Sequence, residues 1–191
     1  MYNEHDVHLQ YWKKKLEGNS GILPLPADLT AAEALPVTQA GSKPFMFPRA
    51  VSTGLKQLAS EQDTTLYVVF LAAFKLLLKR YSNVQDIAVG AYLTDLLLLR
   101  SDVNEDAPLS EYLIQEEKTL LEASSHHQLP PSSLENIFGA PGQEVFNTLF
   151  LMQDKTRMDR DGALSDKIDA YIDQIDIALR IVIDFDGISA E

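Results

Sequence analysis

From Leu66 to Leu78 the chain reads LYVVFLAAFKLLL, with Lys75 as its single charge. A helix without a polar face is either a central core helix or a membrane span. Lys75, Lys79 and Arg80 cut the apolar run well below the ~20 residues a span requires, so the expectation is a buried core helix. Its flanks fit that role. Pro48 suits a first helical position, and Val51, Leu55, Leu58 and Ala59 then recur at helical spacing. Lys56, Gln57, Ser60 and Glu61 face away from that stripe. Asp63-Thr64 breaks this first helix, and Thr64 is the expected N-cap of the next. Ser82-Asn83 forms the exit, and Ile87 to Gly90 reads as a buried strand.

Before this block, Val7 to Leu16 predicts a short helix with Val7, Tyr11, Trp12 and Leu16 along one side and Trp12 as a packing anchor. Gly18 to Phe47 is rich in Gly, Pro and small residues; the prolines of ILPLPAD favour extended backbone. Lys43 to Phe47 fits a short edge strand, where a proline is tolerated. After the block, Leu109 to Ser124 predicts a helix starting at Pro108 and Ser110. Leu109, Tyr112, Leu113, Leu120 and Leu121 would face inward, with Glu111, Glu116, Glu117 and Lys118 outside. Phe146 to Gln153 reads as a strand, with Asn147 and Thr148 as polar edge or turn residues. Asp154 to Asp173 reads as a charged loop, and Ile175 to Ile183 as a half-buried strand. Asp186-Gly187 is a hairpin-turn signal near the last residue.

A chain of 191 residues can bury one sizeable core, and 46% hydrophobic with 23% charged residues describes a globular protein. No cysteine is present, which excludes disulfides, thiolate chemistry and Cys-ligated metal sites and suits a reducing, cytoplasmic setting. The polar, acidic start Met1 to Asp6 has no signal-peptide pattern. A formal net charge of −12 argues against a nucleic-acid partner, which needs clustered Lys and Arg.

The stretch PRAVSTGLKQLASEQDTTLYVVFLAAFKLLLKRYSNVQDIAVG resembles the second half of a nonribosomal peptide synthetase condensation domain. That family carries an L-x-x-L-A helix, then T-L-y-x-V-F-L-A-A-F, L-L-x-R-Y-S and D-I-x-V-G. YWKKKLEG resembles its Y-W-x-x-x-L-x-G segment, ILPLPAD its L-P-x-D connector, and the LLLLR ending at Arg100 its L-x-L-R strand, with Asp95 at the family's Asn. The family segment between D-I-x-V-G and that strand is missing, so the chain is shortened just after Gly90. SSHHQLPPSSLENIF resembles a degraded H-Q-D-x-P-F-E-x-L motif, with His126 on its His and Gln128, Pro131 and Ser132 replacing Asp, Phe and Glu. FNTLFLMQ resembles the F-x-V-M-F-x-L-Q strand, and IDIALRIVI the strand with x-D-L-x-L, Asp176 falling on its Asp.

The resemblance implies an α/β fold: a single chloramphenicol acetyltransferase-like lobe, a mixed β-sheet with helices packed on one face. Residues 1–17 would be a lead-in helix, 18–47 an extended connector and 48–191 the core lobe. It further implies carrier-protein partners, with the phosphopantetheine arm of a carrier as substrate tether and no cofactor held by the chain itself. The other expected partners are a first lobe, neighbouring synthetase domains or a second copy in a homodimer; no membrane is implied.

Condensation domains form amide bonds between carrier-bound thioesters through His-His-x-x-x-Asp-Gly, whose second His positions or deprotonates the attacking amine. The chain lacks this motif: His126-His127 is followed by Pro131-Ser132-Ser133 where Asp-Gly belongs. No catalytic residue is therefore assigned. Gly90, Asp95, His126 and Asp176 are the substrate-channel candidates that the resemblance supplies. His5 and His8 have metal-ligand spacing but no third ligand, and Asp159 to Gly162 lacks the spacing of a calcium loop, so no metal is expected. Two other readings stand beside a condensation-domain half: a binding or scaffold module that has lost the chemistry, and one half of a split enzyme.

Overall fold

The computed structural model describes residues 4–26, 43–93, 96–127, 146–154, 177–184 and 187–190. In chain order these form α1 (Glu4–Leu16), β1 (Phe45–Met46), α2 (Arg49–Glu61), α3 (Leu66–Ser82), β2 (Asp86–Tyr92) and β3 (Leu96–Asp102). Then follow α4 (Leu109–Ser125), β4 (Thr148–Asp154), β5 (Ile177–Asp184) and β6 (Gly187–Ala190). The strands make one mixed sheet in the order β1-β6-β5-β4-β2-β3. β4 lies parallel to both β2 and β5, while β2–β3, β5–β6 and β6–β1 are antiparallel. This is the expected α/β lobe.

Helix α3 is the core element its composition requires, burying Val68 to Ala72, Phe74, Lys75 and Leu78. Strand alternation assigns its face of the sheet. Phe150 of β4 meets Tyr67 and Phe74 of α3, and Ser101 of β3 meets Lys75. Helices α2 and α4 flank α3 on this side. Residues of the other parity, among them Gly90, Leu98, Leu149 and Leu151, face away and are buried as well. There Asn147 Oδ1 accepts from the Leu23 amide and its Nδ2 donates to the Leu23 carbonyl, both at 2.8 Å, docking the segment after α1. Asn147 and Thr148 are thus buried partners, not edge residues; Thr148 Oγ1 donates to the Ala88 carbonyl.

Local details correct several expectations. Pro48 is the N-cap of α2, one residue before its first helical position. Val51 is exposed and Ser52 buried, because the inward stripe of α2 runs through Ser52, Leu55 and Ala59. Thr65, not Thr64, caps α3, its side chain accepting from the Val68 amide. Thr64 instead closes the end of α2: its amide donates to the Ala59 carbonyl and that of Asp63 to Ser60, with Asp63 at φ 49°. This is a Schellman ending with Asp where Gly is usual. Asn83 ends α3 in the same left-handed conformation.

In α4 the inward residues include Tyr112, Leu113, Glu116, Thr119 and Ala123, whereas Leu109 and Leu121 are exposed. Glu116 turns inward because a cation waits for it in the core. Strands β2 and β3 pair directly and antiparallel, with Tyr92 opposite Leu96. The C-terminal hairpin leaves no free strand: β6 pairs with β5 on one side and β1 on the other. Among the described strands the sheet edges are β1 and β3. No helix among the described residues is long and apolar enough to cross a membrane. Of the loop expected over Asp154 to Asp173, Asp154 is instead the last residue of β4, and 155–173, with the candidate calcium loop, lie outside the described residues.

Candidate functional site

Where β3 ends beside α4 and the last turn of α1, the surface opens into a cleft of about 640 Å³. Arg100 organises one wall. Its Nε and one terminal nitrogen donate to the two oxygens of Asp86 at 2.7 and 2.9 Å. The other terminal nitrogen donates to the carbonyls of Lys15 and Glu17, both at 2.8 Å. Arg100 therefore caps α1, whose last carbonyls lack intrahelical donors. Burial disfavours the Asp86 carboxylate, but hydrogen bonds from Arg100 and Asn19 and the guanidinium charge outweigh it, holding Asp86 below the usual aspartate range. On the α4 side, Lys15 Nζ lies 3.4 Å from Glu122 and Lys118 Nζ 3.9 Å from the same carboxylate. The lining is thus charged but internally balanced. Among the described lining residues it offers paired ions.

Below the cleft sits an ion pair wholly removed from water. Lys75 Nζ on α3 donates to Glu116 Oε2 on α4 at 2.8 Å and to Ser101 Oγ on β3 at 2.7 Å, so one ammonium ties three elements together. Burial lowers the proton affinity of Lys75, and the Glu116 carboxylate opposes that shift by charge and hydrogen bond. The second carboxylate oxygen of Glu116 has no hydrogen-bond partner. Ser101 and Thr119 carry this polar core to the cleft lining. A lysine in the middle of an all-apolar helix is the sequence signal for this pair, because a buried ammonium requires an anionic partner.

The channel candidates lie in different surroundings. Gly90 sits inside β2 with the Phe146 ring against it: a Cβ there would lie 2.5 Å from a ring carbon. His126 caps the C-terminal end of α4 and packs on α1. Its Nδ1 lies 2.9 Å from Nδ1 of His8, and its ring stacks on Tyr11 at 3.9 Å. Its carbonyl accepts from Trp12 Nε1 at 2.9 Å. His127 is exposed, with its Nδ1 2.7 Å from the Ser124 carbonyl. Asp95 and Asp176 lie outside the described residues. Among the described residues no group of three or more His, Asp or Glu side chains could hold a metal ion.

The Condensation domain family model matches residues 3–95. A plipastatin synthase of Bacillus subtilis (strain 168) is 33% identical over 173 residues, covering 79% of this chain and 7% of that protein. The first condensation domain of the calcium-dependent antibiotic synthetase, solved with a substrate analogue, superposes with a TM-score of 0.70 at 12% identity. That superposition covers 99% of this chain and 46% of the other. The X-domain from teicoplanin biosynthesis, solved in complex with OxyB, superposes with a TM-score of 0.75 at 15% identity, covering 97% of this chain and 46% of that one. The chain spans less than a tenth of the length of the curated relatives it matches. Sequence and fold together place this chain in the condensation-domain family of the nonribosomal peptide synthetases.

Proposed function

We propose that the chain serves as the second lobe of a condensation domain, shaping the channel for carrier-bound thioesters without catalysing amide formation alone. The observation that carries this reading is the superposition of nearly the whole chain on less than half of a solved condensation domain. The engagement of His126 supports it. A ring stacked on Tyr11 and bonded to His8 is held for packing, not presented to an amine. In this reading Gly90, Asp95, His126 and Asp176 border the channel. The phosphopantetheine arm of a carrier protein threads it, and the partners are carrier proteins, a first lobe and neighbouring synthetase domains in the cytoplasm. Self-association, where it occurs, uses the β3 edge, since an unpaired strand edge is a template for pairing.

The test is a condensation assay with two loaded carrier proteins, run with and without a first-lobe protein bearing His-His-x-x-x-Asp-Gly. Product is expected only in the presence of that lobe, and His126→Ala leaves carrier binding nearly intact. Amide product from the purified chain alone, abolished by His126→Ala or His127→Ala, would overturn the assignment. A second reading, a binding module without chemistry, draws on the likeness to the X-domain solved with OxyB. Failure of the first lobe to restore any product, with carrier or partner binding retained, favours this second reading.

A further inference from the structure

We propose that the His8–His126 contact is a pH-operated clasp that holds α1 against the end of α4 at neutral pH and releases it on mild acidification. The two Nδ1 atoms face each other at 2.9 Å. Such a contact works only if one nitrogen donates and the other accepts. A neutral pair satisfies it with one Nδ1–H tautomer, and a pair sharing one extra proton satisfies it with a charged donor. Two added protons leave two donors, no acceptor and two cations with ring centroids 5.1 Å apart. The bond then becomes a repulsion.

His126 is not free to turn away while α1 stays docked. Tyr11 stacks on its ring with planes 9° apart, and Trp12 holds its carbonyl. Among the described residues the groups around it are few. From α1 come His8, Tyr11 and, further along, Lys15; from α4 come Glu122 and the neighbouring His127. Burial first, and then His8, disfavour a proton on His126, and Glu122 favours one. Glu122 is already engaged by Lys15 and Lys118, and burial with His8 prevails, so His126 is held below its ordinary value. A histidine depressed in the folded state contributes stability above its unfolded value, about 6.5, and loses it as pH falls through the folded value. Release therefore belongs below about pH 6.5.

Release also reaches the cleft. Undocking α1 withdraws Lys15 from the cleft wall and removes from Arg100 the two carbonyl acceptors at the end of α1. The clasp thus couples acidity to the shape and charge of the polar cleft beside β3.

Trp12 is the only tryptophan of the chain, and its indole sits in the clasp, so it reports docking directly. The experiment is a titration of the full chain from pH 8 to pH 5, following Trp12 emission together with far-UV circular dichroism. The expected result is a reversible red shift of emission below about pH 6.5, with helical dichroism largely retained. His8→Gln keeps a hydrogen-bonding side chain but cannot become a cation, and is expected to lose the shift. His126→Gln provides the same test from the other side should His8→Gln fold poorly. Proton NMR of the wild-type protein adds a readout that needs no variant: His126 is expected to titrate below the ordinary histidine value of about 6.5. Emission that is unchanged while the fold persists would overturn the proposal. So would an identical shift in His8→Gln, or a His126 that titrates as an ordinary exposed histidine.

Discussion

The ammonium of Lys75 lies 2.8 Å from Glu116 Oε2, and neither side chain reaches solvent. Removing one member strands the other as an uncompensated buried charge, whereas removing both leaves an apolar core that can close. Lys75→Met or Glu116→Leu alone is therefore expected to cost about 3–5 kcal/mol. The double substitution should recover most of that loss. Urea denaturation of the four proteins checks it, and additive single losses would show that the two groups do not act as a pair.

Gly90 and Phe146 define the second expectation. A methyl group at position 90 has no room beside the Phe146 ring, whose nearest atom would lie 2.5 Å away. Overpacking of this kind costs about 1–3 kcal/mol, and Gly90→Ala should fall in that range. Shortening the ring in Gly90→Ala/Phe146→Leu should restore part of the loss. Thermal melting of both variants decides it; an unchanged midpoint for Gly90→Ala means that the ring does not pack as described.

Asp86 supplies a pH dependence. Its folded-state value lies below the ordinary aspartate value, so its contribution is present above that ordinary value and disappears as pH falls through the folded one. Wild-type stability should accordingly drop on acidification below about pH 4. Asp86→Asn should be less stable at pH 7 and show a shallower drop in that window. Denaturation midpoints at pH 7 and pH 3 provide the comparison, and equal drops in both proteins would assign the acid sensitivity elsewhere.

Asp63 occupies a left-handed position at φ 49° at the end of α2. A Cβ is disfavoured there and glycine is not, so Asp63→Gly should stabilise the chain by about 1 kcal/mol. A measured loss of stability would mean that the aspartate side chain makes a compensating bond.

The sequence alone determined that α3 is central and that β2 follows it as a buried strand, because apolar runs, periodicity and turn residues are local properties; the α/β lobe came from the resemblance to condensation domains. It also determined that His-His-x-x-x-Asp-Gly is absent from these 191 residues. It did not reveal which way Glu116 turns: a helical wheel places it beside Glu117 and Lys118 on a solvated face. Only the approach of α3, which brings Lys75 across 41 positions of sequence, makes burial of that carboxylate favourable. The same holds for His8 and His126, 118 residues apart, and for Arg100 and the carbonyls that end α1. The last strand shows the limit most plainly. Asp186-Gly187 signals a hairpin turn in the sequence but not what covers the strand after it; β6 lies between β5 and β1, because β1, far earlier in the chain, returns to cover its other edge. Periodicity reports which face of an element is apolar; which element that face meets is set by the packing of distant segments, and the candidate cleft and clasp exist only at those meetings.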